Sequence, residues 1–278
     1  MVDGKISIIT VCFNCEGLIE RTIKSVIAQT YTNVQYIVID GGSTDNTLNI
    51  IGKYENKIDV MLSEKDKGIY DAMNKGLKYA TGDLVYFLNA GDYLCDNNVL
   101  RNVIERFNAN SDSDILYGDY IYYDNNSEQR CSGYRAGIPD LLRRGYCHQT
   151  IFAKQSAFVK CGNFNTDYKI YADFDWLLRA LVKFGQKMSY IGIPIAYYLK
   201  GGESESHGDK YDYERIEIIQ ETVGYQGLFS FAISYPTSFC GYLMKISRNK
   251  GEPAKIHEIE MRNRMPCIES RAAEENEP

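Results

Sequence analysis

Residues 34–45 read VQYIVIDGGSTD. Val34–Ile39 is short, apolar and partly β-branched, the pattern of a strand buried on both faces. It runs into Asp40 and then two glycines, which let backbone approach a ligand closely. Ser43 or Thr44 is placed to cap a helix reaching about Tyr54, with Asp45 in its favourable first turn. The same strand-then-helix order recurs on both sides. Upstream, Ile6–Cys12 (ISIITVC) reads as a strand, and Leu18, Ile19, Thr22, Ile23, Val26 and Ile27 make one face of a helix within Glu16–Gln29. Downstream come a short strand at Asp59–Ser63 and a helix carrying Ile69, Ala72, Met73, Gly76, Leu77 and Ala80. A fourth strand, Leu84–Leu88 (LVYFL), follows. Units of this length imply parallel strands joined by right-handed crossovers. Ligands bind beyond the carboxyl ends of such strands. That rule selects Phe13 and Asn14, Asp40 to Asp45, Ser63 to Gly68, and Asn89 to Asp92. The helix starts after Asn14 and after Asp40 offer backbone N–H groups to an anion.

The second half is less regular. Val99, Leu100, Val103, Ile104 and Phe107 form a helix face. Ile115–Tyr123 and Gln129–Tyr134 read as strands around a turn at Asn125–Asn126. A short helix is expected at Pro139–Arg144, a strand at Thr150–Ala153, a helix at Asp173–Phe184 and an extended segment at Ser189–Leu199. Gly201–Asp209 (GGESESHGD) reads as a polar, mobile loop, with a helix after Tyr211. Leu228–Ile246 is rich in Phe, Tyr and Ser. It reads either as a packing arm or oligomer contact, or as an interfacial segment ended by Lys245, Arg248 and Lys250. The tail, ending AAEENEP, is expected to be disordered.

The chain has 278 residues, enough for one or two domains with a large core. Its net charge of −6 argues against gripping nucleic acid through bulk positive charge. No run of 18 apolar residues occurs, so no spanning helix is expected. The opening MVDGKISIITVCFN lacks the basic stretch, apolar core and cleavage site of a secretion signal. Eight cysteines without such a signal predict free thiols. Cys12 and Cys15 form one C-x-x-C; with no second pair, a zinc ribbon is not expected, and two small residues at a strand end explain it.

A dinucleotide site would need G-x-G-x-x-G after the first strand, where this chain has FNCEGL, and no P-loop is present. Asn89-Ala90-Gly91-Asp92 puts a carboxylate just past an apolar strand. With phosphate oxygens and waters, one hard oxygen ligand suits Mg²⁺ or Mn²⁺; an ordinary turn is the plainer account. The segments Ser7–Asn14, Ile39–Asp45, Asp66–Gly76, Gly82–Asp83, Phe87–Asp92 and Asp173–Arg179, in this order and spacing, resemble the family-2 glycosyltransferases. The resemblance covers roughly residues 5–200. It implies a GT-A fold: an α/β domain with a mostly parallel, Rossmann-like sheet flanked by helices, an acceptor-side half and a C-terminal helical arm. The domain organisation predicted on that basis is a nucleotide-sugar-binding half at 1–95, an acceptor-binding and catalytic half at 96–210, and a helical extension with a disordered tail at 211–278.

The resemblance further implies inverting transfer of a sugar from a nucleotide-sugar, a UDP-sugar by family frequency, to a glycan or lipid-linked acceptor in cell-surface polysaccharide synthesis. By position, Thr10, Phe13, Asn14 and Asp40 would line the nucleoside pocket and Asp71 would close it. Asp92 matches the last acid of the D-x-D metal motif, and Asp173 the catalytic base. Three positions depart from the pattern: Asn89 replaces the first acid, Met73 an arginine, and Ala172 the glutamate before the base. Further candidates for phosphate or acceptor contact are Asn89, His148, His207 and Trp176. His148 reads equally as a structural imidazole, His207 as a solvated loop side chain and Trp176 as core. The expected cofactor is Mg²⁺ or Mn²⁺. The expected partners are donor and acceptor, no nucleic acid, a second copy of the chain, and a membrane surface met through 228–250. The expected place is cytoplasmic, peripheral at the inner face of the membrane. Two other readings compete: a nucleotide-sugar-binding module without turnover, and a sugar nucleotidyltransferase. Against the latter, no Lys or Arg lies near Glu16-Gly17 before Arg21.

Overall fold

A computed structural model describes residues 4–110, 112–124, 126–224 and 227–228. The β-branched runs form the expected strands: β1 (Ile6–Cys12), β2 (Val34–Asp40), β3 (Val60–Ser63) and β4 (Leu84–Phe87). They lie parallel in the order β3-β2-β1-β4, with Cys12 level with Asp40 and Ile9 level with Phe87. Helices α1 (Ile19–Ile27), α2 (Thr47–Gly52) and α3 (Ile69–Leu77) make the crossovers. Successive β1 side chains point to opposite faces. Ile6 and Ile8 join a core with Ile19 and Ile23 of α1, whereas Ile9 and Val11 join one with Met73 of α3.

Beyond β4 the sheet changes direction. The later elements are β5 (Tyr93–Leu94), α4 (Val99–Ala109), β6 (Ile115–Tyr123), β7 (Glu128–Cys131), α5 (Ile138–Arg144), β8 (Ile151–Lys154), α6 (Gln155–Cys161), α7 (Ala172–Leu178), β9 (Met188–Leu199) and α8 (Glu203–Val223). β8 pairs antiparallel with β4 and with β6, β9 runs parallel to β6, and β5 and β7 add antiparallel edges. Tyr86 faces Phe152 across the β4–β8 seam, their rings stacked at 4.1 Å and both wholly buried. Such pairs add about 0.5–1.5 kcal/mol beyond area burial.

Three local expectations are corrected. α2 begins at Thr47; Ser43 and Thr44 brace a neighbouring loop instead, and Asp45 accepts the Thr47 amide at 3.0 Å. The Asp173 helix widens into a π-type turn over Arg179–Lys183. Gly201–Asp209 is no loop from Glu203 on, because it forms the first turns of α8. Buried Ile216 and Ile219 anchor the later turns, and helix propagation is cooperative. No described helix is long and apolar enough to cross a membrane. The interfacial segment expected at 228–250 lies, Leu228 apart, outside the described residues, as does the tail.

Candidate active site

The carboxyl ends of β1 and β2 open into two loops that brace each other. The Asn14 amide donates to Ser43 Oγ at 2.8 Å, and the Thr44 amide to Asn14 Oδ1 at 2.8 Å. The Cys15 amide donates to Thr47 Oγ1 at 2.9 Å, and the Asn46 amide to Glu16 at 2.8 Å. Asn14 holds φ +45°, in the left-handed region that asparagine enters more readily than most non-glycine residues. Asp40 is wholly buried under this brace. It accepts hydrogen bonds from the amides of Gly42 and Ser43 and from the hydroxyls of Ser43 and Ser63. Burial pushes its carboxyl up, but those bonds outweigh burial and hold it below its ordinary value. Phe13 projects into solvent, 60% exposed, and Thr10 turns inward to Tyr36 at 3.1 Å. Asp71 accepts the Lys67 amide at 3.0 Å and stands 3.6 Å from Lys75. A Cβ on Gly41 would lie 2.3 Å from Asp66 Oδ2, the end of a side chain that would have to swing aside.

Two strands away, the β4 exit meets the second half of the chain. Asp173 opens α7, half-buried. His148 Nδ1 lies 3.1 Å from its Oδ2. Its Oδ1 accepts from Tyr70 Oη at 3.1 Å and from the Phe174 amide at 2.8 Å. His148 Nε2 in turn meets Asn89 Nδ2 at 2.9 Å. An unbroken chain of contacts thus runs from Asn89 through His148 to Asp173. The loop before Asp173 is pinned by Glu214 of α8, which accepts the amides of Lys169, Ile170 and Tyr171. Behind the pair lies a cavity walled by Met73, Tyr146, Phe158, Phe164 and Trp176. Trp176 is a core residue, 3% exposed, stacked on Phe158 at 4.2 Å and donating to the Gly162 carbonyl. It is therefore no sugar platform. His207 lies on α8, and its side chain is not among those described. The six described cysteines, including Cys12 and Cys15, are free thiols.

Asp92 sits apart from this chain of contacts. It is 5% exposed, and it accepts from the Leu199 amide at 3.0 Å and from Gln149 Nε2 at 2.8 Å. A D-x-D pair stands two residues apart. Two residues after Asn89 is Gly91, not Asp92, and Gly91 holds φ +104°. Among the described residues, no three His, Cys, Asp or Glu side chains are grouped to hold an ion. A hard divalent cation wants several accessible oxygens. The β4 exit offers one amide and one inward-turned, doubly bonded carboxylate, so the donor set does not fit a protein-held cation.

Tyr70 and Glu214 escaped the sequence reading. Tyr70 lay inside the quoted Asp66–Gly76 motif, but its reach to Asp173 spans 103 residues; nothing local marked Glu214.

The family model for glycosyl transferase family 2 matches residues 7–164. A PGL/p-HBAD biosynthesis glycosyltransferase of Mycobacterium tuberculosis is 32% identical over 221 residues, covering 76% of this chain and 84% of that protein. WfgD of Escherichia coli, a UDP-Glc:alpha-D-GlcNAc-diphosphoundecaprenol beta-1,3-glucosyltransferase, is 34% identical over 128 residues, 46% of this chain and 50% of that one. Among solved structures, S. aureus TarS 1–349 with UDP-GlcNAc matches with TM-score 0.69 at 18% identity, over 89% of this chain and 77% of that one. The present chain spans 44% of a longer TarS chain. The mannosyltransferase PcManGT of Pyrobaculum calidifontis, with GDP-Man and Mn²⁺, matches with TM-score 0.62 at 14% identity, over 94% and 79%. At these identities the structural matches show the fold, which is of the GT-A type.

Proposed function

Because this chain belongs to glycosyl transferase family 2, we propose that it is an inverting enzyme moving a sugar from a UDP-sugar to a glycan or lipid-linked acceptor in cell-surface polysaccharide synthesis. Its curated relatives are glycosyltransferases, one of them of PGL/p-HBAD biosynthesis. The neighbour carrying UDP-GlcNAc and the relative acting on a diphosphoundecaprenol sugar support the donor and acceptor classes. The acceptor class also favours work at the cytoplasmic face of a membrane, with peripheral contact.

Residues 1–95 would hold the donor, with Thr10, Phe13, Asn14 and Asp40 around the nucleoside and Asp71 closing it; residues 96–210 would hold the acceptor. Asp173 takes the proton from an acceptor hydroxyl as that oxygen attacks the anomeric carbon. The nucleoside diphosphate leaves from the opposite side and the configuration inverts. A bound Mg²⁺ or Mn²⁺ would supply positive charge at the diphosphate, but the donors described above do not fit one. The carrying observation is the Asp173 carboxylate, oriented by three donors and left partly open at the rim where β4 ends.

Positioned general-base catalysis contributes about 10²–10⁴ in rate. Asp173→Asn is expected to lower transfer by about that factor, with nucleotide affinity unchanged in calorimetry. Equal loss of both in a folded variant would overturn the assignment. Asn89 and the fully buried Ala172 favour a second reading, a nucleotide-sugar-binding module without turnover. Donor consumption across an acceptor screen separates the two.

A further inference from the structure

We infer that the β4 exit of this chain serves the base and not a cation: Asn89 and His148 position Asp173, and no side chain at this exit ligates a divalent ion. The inference rests on Asp173 being the base.

Three observations carry the negative half. Asn89 and Gly91 occupy the two positions where a D-x-D pair would put its acids. Gly91 has φ +104°, a left-handed value at which any side chain is strained. Asp92, one residue further, is turned inward and spends both oxygens on Leu199 and Gln149.

The positive half follows from the hydrogen-bond directions. Asn89 Nδ2 can only donate, so His148 Nε2 accepts and the ring hydrogen sits on Nδ1, facing Asp173 Oδ2. In that orientation Asn89 Oδ1 is buried with no hydrogen-bond partner, a costly placement. With the amide turned over, Oδ1 would accept from a protonated Nε2, and Nδ1 could donate to Asp173 only in a doubly protonated ring. In the observed orientation the amide selects the ring form that donates to the carboxylate, which an aspartate at 89 could not do by donation. His148 then holds one carboxylate oxygen while Tyr70 and the Phe174 amide hold the other, setting the plane of the base.

Three measurements test this on the full chain. Added Mn²⁺ should keep its free-ion paramagnetic resonance signal in the protein alone up to about 1 mM; a stoichiometric site tighter than that overturns the inference. Long-range ¹H–¹⁵N spectra of His148 should show a hydrogen on Nδ1; a ring protonated on Nε2 alone overturns it. His148→Phe should lower kcat by about tenfold or more with the donor KM held within about twofold. His148→Asn, whose amide N–H can stand in for Nδ1–H, should recover most of that loss. Parallel loss of kcat and affinity, or no recovery with Asn, overturns the positioning role. If the unaltered enzyme consumes no donor, the transferase reading fails separately, and the first two measurements still decide the geometry.

Discussion

Burial drives the Asp92 carboxyl up to about 6, against the Leu199 amide and Gln149, whose hydrogen bonds favour its ionised form. The unfolded chain returns it to about 3.9. Between those values the folded protein holds the extra proton, so this group's contribution to stability falls as pH rises from about 4 to about 6 and is level above. The difference is about 3 kcal/mol. Asp40 acts in the opposite sense. Its lowered value makes a contribution present above the unfolded value and lost as pH falls through the folded one. Asp92→Asn should therefore remove a pH dependence: in denaturant unfolding, wild type relative to variant should lose about 3 kcal/mol between pH 4 and pH 7. An unchanged difference would mean that the carboxyl is not buried. The acids at 40, 71, 92 and 173 could all be picked from the sequence as residues near strand exits or in motifs. That Asp92 turns inward could not, because its partners Gln149 and Leu199 lie 57 and 107 residues away.

Among the elements, β6 shows how backbone approach dictates residue choice. Its pairing with β9 shifts register on either side of Asp119, and Gly118 lies at that irregularity. A Cβ on Gly118 would stand 2.4 Å from the Ile193 carbonyl and 2.8 Å from Ile195. A carbonyl in a paired strand cannot swing aside as a side chain tip can. Gly118→Ala is expected to cost about 3 kcal/mol, seen as a lowered midpoint in denaturant unfolding. A neutral result would show that β9 moves freely against β6. The strands of the first half could be read from β-branched runs because parallel strands covered on both faces are apolar throughout. The start of α8 could not be read that way, since GGESESHGD has turn chemistry and its helicity is propagated from apolar turns further on.

Across the fold, β2, β1 and β4 are successive strands about 4.8 Å apart, so Asp40 and Asn89 stand at exits of one sheet with the β1 exit between them. A nucleotide that bridges those exits binds the folded chain alone. At about 100 times its dissociation constant it should add about 2.7 kcal/mol to stability. Among UDP, GDP and dTDP, UDP is expected to raise the melting temperature most in thermal-shift measurements. No shift with any of them would remove the nucleotide pocket. Strand and helix periodicity, and with them the parallel half of the sheet and its acid-bearing rim, were written in local sequence, because burial repeats at period 2 or 3.6 within a few residues. The reversal at β8, the inward turn of Asp92 and the Asn89–His148–Asp173 chain were decided only when distant segments packed together. Hydrogen bonds depend on positions in space, and no local pattern records which remote side chain will arrive.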